Sequence, residues 1–141
     1  MVKAPPQGEL RARVGETEKL TINLGVVDLG QIDLLVQEGF YSNRTDLIRT
    51  AIRNQLTVHA DDVKRTVARH TLVLGLQHVT RKELERLRAA GQKLHIQVVG
   101  LVRIDDDVTP ELARATIESI QVLGVFHASP AVRRALADRI R

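Results

Sequence analysis

The hydrophobic pattern changes period several times along this chain, and each change marks a new element. In Lys19-Leu20-Thr21-Ile22-Asn23-Leu24 apolar residues fall at every second position, the period of a strand buried on one face. Lys19, Thr21 and Asn23 form the other face and present a cation, a hydroxyl and a carboxamide, all able to hydrogen-bond base edges. So short a strand cannot satisfy its edges or cover its apolar side alone. The simplest partner is the same strand of a second chain. Beyond Gly25 the period lengthens, with Leu29, Ile32, Leu35 and Val36 three to four residues apart. This predicts a helix capped by Asp28 and running through Glu38, ended by Gly39 in the left-handed conformation. Gly30 inside it costs roughly 1 kcal/mol relative to Ala, which predicts close packing at that point. Ser42 is the expected N-cap of a second helix, whose stripe runs through Leu47, Ile48, Ala51, Ile52 and Leu56. His59, Val63, Val67 and His70 carry the stripe to about Arg69, as one helix or as a second one in line with it.

From Thr71 the chain repeats with a period of about two dozen residues, self-similarity that signals stacked units. Leu72-Val73-Leu74-Gly75-Leu76 matches Gln97-Val98-Val99-Gly100-Leu101 and Gln121-Val122-Leu123-Gly124-Val125. Each run is followed by a helix start: Thr80 with Glu83, Thr109 with Pro110, and Ser129 with Pro130, combinations that cap orphan amides. The helices then carry Leu84 and Leu87; Leu112, Ala115 and Ile117; and Val132, Leu136 and Ile140. Strands joined through helices prefer to lie parallel. The expectation is a three-stranded parallel sheet with its helices on one side, as a compact layer or a short solenoid. Its second face stays apolar, so it should pack against another copy or against the helical connector.

Composition adjusts this picture only slightly. With 43% hydrophobic but 2% aromatic residues, the core must come from Leu, Ile, Val and Ala. A net charge of +4 suits a polyanionic partner without requiring one. The absence of cysteine removes disulfides, thiolate metal sites and cysteine nucleophiles together. Residues 1–17, with Pro5, Pro6, Gly8 and Gly15, read as a flexible arm whose Lys3, Arg11 and Arg13 can reach phosphates. Neither a signal peptide nor a membrane-length apolar run is present, so the expected location is cytoplasmic.

Candidate chemistry mostly has plainer explanations. Asp105-Asp106-Asp107 lacks the glycine and distal acid of a calcium loop and reads as a solvated loop leading to Thr109. His78, His95 and His127 sit near corresponding ends of the three repeat strands, which invites a metal site. Ser119, Ser129 and His127 have no nucleophile elbow or phosphate loop around them. No enzymatic activity, cofactor or metal is expected.

The stretch from Glu18 to Leu56, with its alternating strand, the Gly-Phe-Tyr-Ser-Asn-Arg-Thr-Asp turn and Leu47-Ile48-Arg49, resembles the ribbon-helix-helix family of DNA-binding proteins, the MetJ/Arc/CopG group. Gly25-Val26-Val27 stands where family members often have Pro or polar residues. The resemblance implies an intertwined homodimer that lays a two-stranded β-ribbon in the major groove. It places base contacts on Lys19, Thr21 and Asn23, and phosphate contacts on Ser42, Asn43 and Arg44, at the positive end of the second helix. A nickel-responsive branch of the family adds a metal-sensing domain, but it uses a cysteine and a βαββαβ order that this chain lacks.

The expected fold class is therefore α+β. It comprises an N-terminal ribbon-helix-helix domain (18–57), a helical connector (58–70) and a C-terminal domain of three βα repeats with a small parallel sheet (71–141) that assembles dimers into a tetramer or larger. The expected function is a sequence-specific DNA-binding transcriptional regulator, acting as a repressor on double-stranded DNA. An antitoxin-type autorepressor and an architectural DNA-coating protein are the alternatives, and a metal-responsive regulator is less favoured.

Overall fold

The computed structural model describes residues 17–141, which divide into two compact units meeting between Thr57 and Val58. The flexible arm expected over residues 1–17 lies, except for Thr17, outside the described residues.

In the first unit, residues 17–25 carry no regular element. A strand is defined by its ladder, and Lys19–Leu24 pairs with no other segment among the described residues. Helix α1 spans Val26–Gln37 and begins three residues sooner than Asp28 would have it as cap. Gly25, extended at φ −61° and ψ 143°, takes the N-cap position. Asp28 lies instead in the first turn, where a carboxylate complements the amide end of the helix dipole. The helix ends as expected: Gly39 at φ +83° lets its N–H reach Val36 O at 3.1 Å and the Phe40 N–H reach Leu35 O at 3.0 Å, the paired bonds of a Schellman motif. The close packing expected at Gly30 is not found within the chain, where nothing lies within 4 Å of an added Cβ. Helix α2 spans Arg44–Val58. Neither helix contains a fully buried residue, and Leu20, Ile22, Phe40, Ile52 and Leu56 stay largely exposed.

The second unit begins with α3, Ala60–Arg69, separated from α2 by His59. Of the two forms expected for this stretch, a second helix is the one adopted. Val63 and Val67 on its stripe are half-buried, while His59 and His70 are exposed. The repeats follow in the predicted order: β1 Val73–Val79, α4 Arg81–Ala89, β2 Leu94–Ile104, α5 Pro110–Thr116, β3 Ile117–His127, α6 Pro130–Ala135 and a 3-10 turn at Ala137–Arg139. The sheet is parallel in the order β1-β2-β3. Thr80, Thr109 and Ser129 each cap their helix, accepting from the N–H groups of Glu83, Leu112 and Val132 at 3.2, 3.1 and 3.2 Å. One boundary differs from expectation, because Ile117 opens β3 rather than closing the preceding helix. There the buried Thr116 hydroxyl donates to Leu112 O at 2.7 Å and Arg139 donates to Ile117 O at 2.7 Å. The otherwise orphan carbonyls of the last turn are met from elsewhere, Arg114 O by Arg139 at 2.5 Å and Ala115 O by Lys93 Nζ at 2.7 Å.

The core lies on the helix side of the sheet. Ile96, Val98, Val102 and Ile104 of β2 and Ile120 of β3 pack with Leu84 of α4, Leu112 and Ala113 of α5, and Val132 and Leu136. Neighbouring repeats touch through α4 against α5 and α5 against α6. Ile140 adds a parallel bridge to Ile120, and Arg114 ties α5 to the C-terminus through Asp138 at 2.8 Å and Ala135 O at 2.7 Å.

The repeat glycines stand side by side, Gly75 paired with Gly100 and Gly100 with Gly124. Their φ values are +139°, +140° and +124°, a region that residues with a side chain rarely adopt. A Cβ at Gly100 would lie 2.0 Å from Gly75 O, and one at Gly124 would lie 2.1 Å from Gly100 O. At Gly75 the same atom would meet open space. Gly75→Ala is therefore expected to cost about 1 to 2 kcal/mol from backbone strain alone. Gly100→Ala should cost clearly more, because β1 and β2 must separate as well. Urea unfolding of both variants checks the order, and equal losses would mean that the close approach carries no energy.

Candidate nucleic-acid interface

Lys19, Thr21 and Asn23 are exposed in the first unit, and so are Leu20, Ile22 and Leu24 on the alternate positions. Leu20 keeps 80% of its surface and Ile22 54%. The segment thus offers a polar row and an apolar row, and the single chain covers neither.

The start of α2 is more elaborate than a single cap. Asn43, not Ser42, is the N-cap: its Oδ1 accepts from the Asp46 N–H at 2.8 Å. Asp46 reciprocates by accepting from the Ser42 N–H at 3.0 Å. A carboxamide can serve this position as well as a hydroxyl, and starting the helix at Arg44 rather than Asn43 puts Asn43 in the capping place. The backbone N–H groups of Arg44 and Thr45, in the first turn, have no partner within the helix itself.

Arg44 was expected to meet phosphate. Its guanidinium instead forks onto Asp33 of α1, with Nε to Oδ1 at 2.7 Å and Nη2 to Oδ2 at 2.8 Å. This bidentate pair fastens the two helices together. The hydrogen bond from Arg44, aided by its charge, holds the Asp33 carboxyl below the usual range. Ser42, Asn43, Thr45, Asp46, Arg49, Thr50 and Arg53 line a polar cleft of about 340 Å³. Arg49 and Arg53, absent from the sequence-based assignment, bring two cations to Ser42 and Asn43. Their i, i+4 spacing was the available signal, since it places both on one helix face.

A second polar cleft, at the C-terminal ends of β2 and β3, is lined by Arg103, Ile104, Asp105, Asp106, His127 and Ala128. His78 bonds Asp105 through Nε2, and His95 Nδ1 lies 3.0 Å from the Ser119 hydroxyl. The described residues contain no group of three or more His, Cys, Asp or Glu side chains placed to hold a metal ion. Among them, no helix is long and apolar enough to cross a membrane.

The model of the ribbon-helix-helix transcriptional regulator family matches residues 15–133. The chain belongs to this family. The match takes in both units, so the βα repeats belong to the family pattern and are not an unrelated appendage to it. No curated protein and no solved structure matches the chain. Ribbon-helix-helix regulators bind DNA and are typically dimeric.

Two outcomes check the local geometry of this family member. Asn43→Ala should destabilise it by about 1 kcal/mol, and Ser42→Ala by much less, because only the first removes the cap. Chemical denaturation of the two variants separates these roles. Since the folded pKa of Asp33 is depressed, its contribution is present above the ordinary carboxylate pKa and is lost as pH falls through the lowered value. Asp33→Asn should accordingly flatten the acid side of the stability curve below about pH 4, measured by thermal unfolding across pH.

Proposed function

We propose that this regulator is a homodimeric, cytoplasmic repressor that reads an operator with a two-stranded ribbon and acts by binding, not catalysis. Two chains align their Lys19–Leu24 segments antiparallel, turning Leu20, Ile22 and Leu24 inward and Lys19, Thr21 and Asn23 into the major groove. The single observation that carries this reading is the uncovered state of the first unit. Its two helices hold no fully buried side chain, while apolar residues of the segment and of both helices remain exposed. Apolar surface of this kind is stable only when another chain covers it, and the ribbon supplies both the ladder and the cover.

In the groove, Lys19 donates to guanine O6 and N7, Asn23 pairs with adenine N6 and N7, and Thr21 meets a base edge or a thymine methyl. At the start of α2, Ser42, Asn43 and the adjoining Arg44 and Thr45 amides hold a flanking phosphate, with Arg49 and Arg53 supplying charge. Arg44 contributes mainly by positioning the helix, because its fork is committed to Asp33. The folded sheet and helices of residues 73–139 favour this reading over an antitoxin, whose tail is usually disordered until it meets its toxin.

Operator selection from random duplexes, followed by titration at several salt concentrations, tests the proposal. A defined operator that survives excess competitor is expected. Equal affinity for all duplexes would point to an architectural coating protein, and stoichiometric co-purification of a small partner would point to an antitoxin. Asn23→Ala should cost about 1 to 3 kcal/mol on the operator and little on random DNA. Arg53→Ala should weaken both alike and lower the salt slope by about one.

A further inference from the structure

Among the described residues, helices pack on one face of the second unit's sheet only. On the other, Leu74, Val99 and Leu123 stand in register as one row across the three strands, and Leu76, Leu101 and Val125 as the next. None of the six belongs to the helix-side core. Leu74, Leu76 and Leu123 on the outer strands keep 60%, 47% and 56% of their surfaces exposed, while Leu101 on the central strand, flanked on both sides, keeps 8%. The patch has polar edges at both ends: Gln97 and Gln121 are paired toward the strand starts, and His78, Arg103 and His127 are in register toward the strand ends. Parallel sheets are normally covered on both faces. The connector helix α3 makes no extended contact with this sheet, so the expected alternative of a connector lid is not realised within the unit.

We propose that this face is the seat of a second copy of the chain, packed face to face about a two-fold axis that runs along the glycine row. Rotation about that axis sets the Leu74-Val99-Leu123 row of one copy on the Leu76-Leu101-Val125 row of the other. The same rotation lays Arg103 over Gln97 and His127 over Gln121, with His78 over Leu72, and the Gln97 carbonyl oxygen can accept from the guanidinium. A two-fold axis parallel to the strands would instead bring Arg103 against Arg103 of the second copy, and like charges placed together oppose association. The pattern of apolar rows and polar edges is thus self-complementary in one orientation, which is the requirement of an isologous contact.

The size of the face sets the strength of the contact. Three strands across and the six residue steps from Gln97 to Arg103 along give a footprint of roughly 300 Å² on each copy. That is below what independent stable complexes bury, about 1,200 Å² or more in total. Pairing through this face is therefore concentration-dependent, and it strengthens when the copies are already tethered. The inference goes beyond the DNA-reading proposal and does not rest on it, because every residue of the face lies within the second unit. A chain that also dimerises elsewhere would close into a tetramer carrying two DNA-reading heads, or extend if the axes do not close.

The test measures the mass of the full-length protein by light scattering and analytical ultracentrifugation over the micromolar range. Wild type should approach twice the mass of the Leu123→Glu variant as concentration rises, with the variant's circular dichroism unchanged because the site is solvent-facing. Gln97→Glu, which sets a carboxylate against Arg103 of the second copy, should tighten pairing by about threefold, and Gln97→Lys should weaken it. Equal masses for wild type and Leu123→Glu at every concentration would overturn the proposal. Weaker pairing in Gln97→Glu would overturn the axis, since it would mean that Gln97 meets its own counterpart. If Leu123→Glu fails to fold, the opposite responses of the two Gln97 variants decide the matter alone.

Discussion

The close approach of backbone to backbone along the glycine row is the constraint on which the second unit depends. With the position of a Cβ at Gly100 only 2.0 Å from Gly75 O, and that at Gly124 2.1 Å from Gly100 O, no side chain fits on β2 or β3 at that level. The register Gly75–Gly100–Gly124 is fixed by this exclusion as much as by the ladder hydrogen bonds. A slip by one residue would drive Leu101 or Val99 into the space and would also exchange the two faces of the strand. Once the row is set, alternation sends Ile96, Val98, Val102 and Ile104 to the helices and Val99 and Leu101 to the opposite face.

The two units leave apolar surface uncovered for different reasons. In the first, two helices and one short segment are too few to close around a core, so the deficit belongs to the whole unit. In the second, the core under α4, α5 and α6 is complete, and the deficit is one face of a small sheet. The proposed intertwined partner answers the first deficit, and the proposed face-to-face contact answers the second. In the arrangement we propose, sequence choice rests on Lys19, Thr21 and Asn23, and apparent affinity rests on how many heads are joined.

Polar residues at the helix starts do local work that competes with any role toward DNA. Asn43 and Asp46 bond each other's end of the α2 cap, and Arg44 is held by Asp33. The cations that remain on the cleft, Arg49 and Arg53, stand about two and three turns beyond the Asn43 cap. Charge for an anion is thus supplied from the helix face, while the cap residues hold the backbone in place.

The sequence by itself determined the repeats and their caps. The spacing of Gly75, Gly100 and Gly124 is a covalent property of the chain, and Thr80, Thr109 and Ser129 act on amides three residues away, so the observed register and helix starts were legible without coordinates. The Gly39 stop was legible on the same ground of backbone freedom, whereas the strand expected at Lys19–Leu24 has no ladder among the described residues. Only the tertiary structure decided which of Ser42 and Asn43 caps α2, because both side chains are competent and the outcome turns on where the first helical turn closes. It alone paired Arg44 with Asp33, eleven residues apart, and made Ile117 a strand residue by pairing it with Leu94 of β2. Contacts between residues remote in sequence depend on how elements pack, and no local period encodes them.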